Sequence, residues 1–125
     1  PTPTLSQTTN PNPNAPRSPN GSVFFWKLQA EAFLGGSGIG STIVKPCGLH
    51  DGPAGQAALG TSHNDRLPSP HQYMITRADL AAVMQEAVVE RSAHLRFDLC
   101  AIPGAPGTSP SELLKTAGWP WQLQV

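Results

Sequence analysis

Residues 24–46 read FFWKLQAEAFLGGSGIGSTIVKP and place a helical pattern, a glycine run and a strand-like run in that order. The first part carries apolar side chains over a wide surface, which predicts a mostly buried helix with Ser22 as its N-cap. The β-branched run at 42–44 predicts a short strand, which Pro46 ends or leaves at the edge of a sheet.

The glycine run at 35–40, GGSGIG, raises the question of a phosphate-binding loop. Such a loop needs a strand before it and a helix after it, because the N-terminus of the helix supplies the N–H groups that hold the phosphate. Here the helix comes first and the strand second, and the spacing is not GxGxxG. The run therefore predicts a helix that ends on a left-handed glycine, followed by a tight turn.

Composition divides the 125-residue chain into three parts. Residues 1–22 are rich in proline and asparagine and have too little apolar surface to offset the loss of chain entropy, which predicts a disordered tail or loop. Residues 23–118 have the patterns of a folded domain, and residues 119–125 form a short C-terminal tail. The first residue is Pro1, from which we expect a processed product or a fragment.

Charge and hydropathy exclude several classes of partner. Eight basic and eight acidic side chains cancel to a formal net charge of zero, so the chain lacks the excess positive charge that favours binding to nucleic acid. No apolar run is long enough to span a membrane. Cys47 and Cys100 lie in apolar, strand-like segments without CxxC spacing, which favours reduced, buried thiols in a soluble intracellular protein and leaves a disulfide open.

The rest of the chain alternates strands and helices. Residues 47–72 predict a long irregular loop, followed by a short strand at 73–76. A helix then begins at Thr76, with Asp79 resembling the partner in a capping box and apolar residues at helical spacing: Leu80, Val83, Met84, Ala87 and Val88. Alternation at 95–101 predicts another strand. A last short helix has Ser109 as N-cap, Pro110 at its first position and Glu112 closing a capping box, and it ends at Gly118.

This order predicts an α/β fold with an open, mainly parallel sheet. Two or three strands do not make such a sheet stable alone, because both of its faces must be covered and its edges closed. We therefore expect an incomplete sheet, which a protein partner could cover.

Four sequence motifs, in this order along the chain, resemble those of one known family. They are WKLQAE at 26–31, SGIGSTIVKPCGL at 37–49, TRADLA at 76–81 and FDL at 97–99. They are similar to the C-terminal half of atypical short-chain dehydrogenases/reductases, the NmrA-like branch of NAD(P)-binding Rossmann proteins of plants, algae and bacteria.

The resemblance implies part of a doubly wound sheet, NAD or NADP as cofactor, and location in the cytoplasm or a plastid. The family's pyrophosphate-binding loop has no match, so we expect this chain alone to bind no dinucleotide tightly.

The resemblance also implies cofactor-binding residues. Lys27 matches the lysine that reaches the nicotinamide ribose hydroxyls, although a lysine at the surface of a buried helix is equally ordinary. Pro46, Cys47, Gly48 and Leu49 match the loop that lies against the nicotinamide ring. The wider superfamily has a catalytic tyrosine four residues before the lysine, and this position is Val23. No catalytic residue is therefore assigned.

Other chemistries have weaker signals. The loop after the first strand contains potential metal ligands, but their spacing is not that of a metal motif, so no metal is expected: His50, Asp51, His63, Asp65 and His71. GSGIG at 36–40 is not the GxSxG of a hydrolase. Two hypotheses remain: an NAD(P)-linked oxidoreductase-like domain, and a non-catalytic remnant or protein-interaction module that no longer binds cofactor.

Overall fold

The computed structural model describes residues 21–64, 66–67 and 74–119, without the side chains of residues 21 and 22. Within them lie three helices and five strands, and these are α1 (Gly21–Gly36), β1 (Thr42–Pro46), β2 (Gly48–His50), β3 (Ala58–Ser62), β4 (Met74–Thr76), α2 (Arg77–Val89), β5 (Leu95–Ile102) and α3 (Pro110–Thr116). The predicted tail at 1–22 lies almost wholly outside the described residues.

The strands form two small sheets. In the larger sheet β5 is central, parallel to β1 on one side and antiparallel to β3 on the other. In the smaller sheet β2 pairs in parallel with β4. The α/β class and the partial Rossmann-like sheet are confirmed, and the larger sheet is mixed.

The irregular loop predicted at 47–72 is wrong in part, because β2 and β3 lie inside it. Ala58–Ser62 has no run of β-branched residues that would predict a strand. It is a strand because it pairs with the edge of β5, with Gly60 opposite Cys100. A Cβ atom at Gly60 would lie 2.9 Å from Cγ2 of Ile102, so this close approach needs glycine.

The core packs the central strand against α2 and α3. Its buried apolar residues come mainly from these three elements and β4: Ile75, Val83, Ala87, Phe97, Leu99, Leu113, Leu114 and Ala117. Four successive residues of β5, from Phe97 to Cys100, are buried, so both faces of this strand are covered. The alternation predicted for 95–101 correctly identified a strand.

The predicted start of α2 is confirmed. Thr76 is the N-cap, and its Oγ1 accepts a hydrogen bond from the Asp79 N–H at 3.0 Å. The Thr76 hydroxyl donates to Asp79 Oδ2 at 2.9 Å, and the Gly55 N–H donates to Asp79 Oδ1 at 2.8 Å. Asp79 thus joins the cap of α2 to the loop before β3.

The apolar face predicted for α2 is only partly buried. Val83 and Ala87 lie in the core, whereas Met84 and Val88 are exposed. These two exposed side chains line a groove of about 410 Å³ beside β1. In α3, the predicted capping box of Ser109 and Glu112 is confirmed, and the helix ends at Thr116.

The expectation that α1 is mostly buried is wrong. Trp26 is 67% exposed and Phe33 is 82% exposed. The helix is apolar on nearly every side, but the described part of the chain packs against only one of them. In addition, α1 begins at Gly21, so Ser22 lies in its first turn instead of capping it.

The expectation of reduced thiols is also wrong, because Cys47 and Cys100 form a disulfide with a Cα–Cα distance of 5.4 Å. Pro46 of β1 lies opposite Leu99 of β5, so the next residue of each strand comes within bonding reach. This proximity follows from the register of two strands that are 53 residues apart in the sequence.

Replacing Asp79 with alanine should lower the free energy of unfolding by about 2 kcal/mol, because it leaves the buried Thr76 hydroxyl and the Gly55 N–H without their acceptor. Urea unfolding followed by circular dichroism measures the change. The matched control is Asp51→Ala, which removes the same charge from an exposed ion pair with Arg77 and should cost less than about 0.5 kcal/mol. Equal losses in the two variants would contradict the assignment.

Candidate functional site

A cleft of about 690 Å³ lies between α1 and the end of β1. Four of the five residues predicted to bind cofactor line it, and these are Lys27, Pro46, Cys47 and Leu49. Gly48 is next to them in the chain but is not among the lining residues. The remaining walls are largely apolar side chains of α1 and β1, including Phe24, Leu28, Leu34, Ile43 and Val44.

Lys27 supplies a free cation at this cleft. Its side chain is exposed, and it has neither a hydrogen bond nor an ion pair with any other residue that the structure describes. An ammonium group with three donors can therefore turn toward an anionic or hydroxyl-bearing ligand without giving up a partner.

Glu31, one helical turn after Lys27, attaches α1 to the sheet. Its carboxylate contacts Arg96 of β5, with an Nη2–Oε2 distance of 2.9 Å, and Lys45 of β1, with an Nζ–Oε1 distance of 3.9 Å. Only 14% of the Glu31 side chain is exposed. These ion pairs set the position of α1 relative to β1, and therefore the width of the cleft.

Glu31 is not among the site residues predicted from the sequence. Arg96 is 65 residues away along the chain, so no local spacing signals the pair. The one available clue was its position four residues after Lys27, on the same side of the helix. A partly buried acid on a largely apolar helix needs a partner, and only the fold identifies it.

The opposite wall of the cleft is the segment 46–49, which is held at both ends and in its middle. Pro46 ends β1, and Gly48 begins β2 opposite Met74. Between them, the Cys47 N–H donates to the Leu99 carbonyl at 3.0 Å, and its sulfur is bonded to Cys100. This wall is therefore fixed to the central strand of the sheet.

The glycine run connects α1 to β1, as predicted. The left-handed glycine is Gly38, with a φ of +79°, two residues after α1 ends at Gly36, so the helix does not itself end on a left-handed glycine. The Ser37 hydroxyl donates to the Leu34 carbonyl at 2.6 Å and accepts from the Ile39 N–H at 3.2 Å, which closes the turn. The run follows the C-terminus of a helix, where carbonyl groups and not N–H groups are free, so it does not form a phosphate loop.

Two of the loop residues considered above as possible metal ligands contact other side chains or backbone groups of the protein. His63 stacks on Trp119 with ring centroids 4.0 Å apart, and its Nε2 lies 3.0 Å from the Ala117 carbonyl. Asp51 pairs with Arg77. Among the described residues, no three histidine, cysteine or acidic side chains come together as a metal site, and Asp65 and His71 lie outside those residues.

None of the helices in the described ranges is long and apolar enough to cross a membrane.

Comparison with known proteins adds independent findings. A sequence model of an NAD(P)H-binding family matches residues 4–91. The chain is 34% identical over 90 residues to an uncharacterized chloroplastic protein of Arabidopsis thaliana, an alignment covering 71% of this chain and 28% of that protein. It is 32% identical over 94 residues to sanguinarine reductase of Eschscholzia californica, covering 74% of this chain and 34% of that enzyme. The chain thus spans about a third of the length of these relatives.

Replacing Glu31 with glutamine should loosen α1 without unfolding the core. Losing a partly buried ion pair costs about 1 kcal/mol, so amide hydrogen exchange within α1 should become roughly fivefold faster. Exchange in α2 and α3 should stay unchanged, as measured by mass spectrometry of peptides from each helix. Glu86→Gln on α2 makes the same charge change and should leave α1 unaffected. Equal exchange in α1 of both variants would show that Glu31 does not hold the helix.

Proposed function

This chain belongs to the NAD(P)H-binding family, and on that premise we propose that the cleft between α1 and β1 receives the nicotinamide end of NAD or NADP. The observation that carries this proposal is the convergence of Lys27 and the segment 46–49 on one cleft. Lys27 lies 19 or more positions before the other residues in the sequence, and the family resemblance alone marks them all as cofactor contacts. The cleft also lies within the range of about 300–1,000 Å³ typical of ligand pockets.

The two walls suit the two parts of a nicotinamide riboside. The ribose carries hydroxyl groups, which need donors or acceptors, and the Lys27 ammonium is a free donor at one wall. The ring is flat and uncharged when reduced, and the other wall offers the apolar surfaces of Pro46 and Leu49. These walls therefore fit the cofactor that the family implies.

Bound NADPH or NADH would supply a hydride for reduction of a substrate. The chain's own contribution is to hold the ribose through Lys27 and to support one face of the ring through residues 46–49. The position four residues before Lys27 is Val23, which has no proton to donate. A carbonyl substrate would therefore need a proton from another group or from water.

The name of one relative supports a reductase, because sanguinarine reductase is similar over most of this chain. Since the similarity covers about a third of that enzyme, reductase activity is part of the proposal for the protein that contains this domain. The chain itself carries an NAD(P)-binding, oxidoreductase-like domain.

A second candidate function is a protein-interaction module without cofactor. The exposed apolar surface of α1 favours it, because a contiguous patch of this kind commonly marks a protein interface. The absence of a phenol at position 23 agrees with it. The two candidates differ in whether the cleft binds a nicotinamide nucleotide at all.

Titration of the 125-residue chain with reduced nicotinamide mononucleotide and with NADPH, followed by nicotinamide fluorescence, tests the proposal. We expect weak binding of both and a similar affinity for each, because the proposed contacts are to the half that the two molecules share. Lys27→Ala should weaken both about tenfold, the usual loss for a hydrogen bond from a charged donor. Lys115→Ala, which removes the same charge from α3, should not.

If neither nucleotide binds, the cofactor proposal is wrong and the protein-interaction module is favoured. Binding that is equally strong in the two lysine variants would show that Lys27 is not the ribose contact. Binding of NADPH much more tightly than of the mononucleotide would place the main contacts outside this cleft.

The Leu49→Gln variant tests whether the wall at residues 46–49 contacts the nicotinamide ring. Exchanging an apolar contact for a polar side chain costs about 1 kcal/mol, so affinity for the reduced mononucleotide should fall roughly fivefold. Val89→Gln makes a similar change at an exposed position of α2 and should leave the affinity unchanged. The same fluorescence titration measures both variants. An unchanged affinity in Leu49→Gln would show that Leu49 does not contact the nicotinamide ring.

A further inference from the structure

We propose that the Cys47–Cys100 disulfide is a thiol–disulfide exchange site for a dithiol reductant, and that its oxidation state sets the affinity of the α1–β1 cleft for a nicotinamide nucleotide. The second half of this inference rests on the function proposed above. The first half concerns only the two cysteines and their surroundings.

The position of Cys47 carries the inference. It is the single residue between β1 and β2, so it lies where the chain leaves the larger sheet and enters the smaller one. It also lines the cleft, directly between Pro46 and Gly48. A covalent bond at this residue therefore acts on the wall proposed to face the nicotinamide ring.

The two cysteine residues differ in exposure. Cys100 is 1% exposed in the central strand, whereas Cys47 is partly exposed at the cleft. A reductant therefore reaches Cys47 first. Its thiolate attacks the Cys47 sulfur, the Cys47–Cys100 bond breaks, and Cys100 leaves with the electron pair and takes up a proton.

The second thiol of the reductant then attacks the mixed disulfide and releases Cys47 as a thiol. Two electrons and two protons pass to the protein, and the reductant becomes a cyclic or intramolecular disulfide. A small dithiol such as dithiothreitol, or a protein with two neighbouring thiols, meets these requirements. A reductant with one thiol would need a second molecule for this last step.

Reduction should change the cleft because it removes one of two links between Cys47 and β5. The link that remains is the hydrogen bond from the Cys47 N–H to the Leu99 carbonyl. Pro46 and Gly48 stay paired with β5 and β4, so the freedom gained is that of Cys47 between them. A ligand that needs this middle part of the wall in place must restrict it again on binding.

The test compares the oxidised chain with the chain reduced by dithiothreitol, after counting free thiols by alkylation and mass spectrometry. Reduction should proceed through a mixed disulfide that is trapped on Cys47 and not on Cys100. The affinity for reduced nicotinamide mononucleotide should fall about fivefold or more on reduction, within the range of ordinary couplings between two sites. Far-ultraviolet circular dichroism should show that both forms stay folded.

The Cys47→Ser/Cys100→Ser variant is the matched control. It has no disulfide to reduce, so its affinity should equal that of the reduced chain and should not respond to dithiothreitol. A response in this variant would overturn the inference. Equal affinities of the oxidised and reduced chains would overturn it as well, and would leave the proposed nicotinamide site standing.

Linkage gives an independent measurement. If the oxidised form binds the mononucleotide fivefold more tightly, saturation with it must lower the midpoint potential of the cysteine pair by about 20 mV, since a tenfold change corresponds to about 30 mV. An unchanged potential would contradict the coupling. Unfolding on reduction would overturn the inference too, because the disulfide would then hold the whole fold and not the cleft wall alone. Absence of binding in both forms would contradict the proposed function together with the coupling.

Discussion

Parallel pairing of β5 with β1 is the interaction from which the rest of the described structure follows. The register that sets Pro46 opposite Leu99 brings Cys47 to Cys100, and it places the side chain of Arg96 under α1. On its other edge β5 pairs with β3, and its two buried faces contribute to the core that α2 and α3 complete. One strand thus connects the core of the domain to the wall of the cleft.

The cleft depends on two attachments of different kinds. Its helical wall is held by the Glu31 carboxylate between Arg96 and Lys45, an electrostatic contact at the edge of the core. Its loop wall is held by a backbone hydrogen bond and a covalent bond to β5. Salt weakens the ion pairs that hold the helical wall, whereas reduction breaks the disulfide that holds the loop wall. The two walls of the proposed nicotinamide site are therefore sensitive to different solution conditions.

The elements were predictable where the local signal was strong. Thr76 and Asp79 start α2, Ser109 and Glu112 start α3, and the glycine run ends α1, because each depends on residues within one or two turns. The strand Ala58–Ser62 was not predictable, since only β5 makes it a strand. Four of the five predicted cofactor residues meet at one cleft, whereas the pairing of Glu31 with Arg96, 65 residues away, had no signal that spacing could reveal.

By itself the sequence determined the family, the α/β class and the starts of the later helices, because motifs and caps are encoded by neighbouring residues. Only the tertiary structure decided the antiparallel strand, the exposure of α1 and the pairing of Cys47 with Cys100. Each of these depends on which surfaces are brought together from distant parts of the chain. Apolar and β-branched patterns show that a segment needs a partner, but strand register and packing decide which partner it receives.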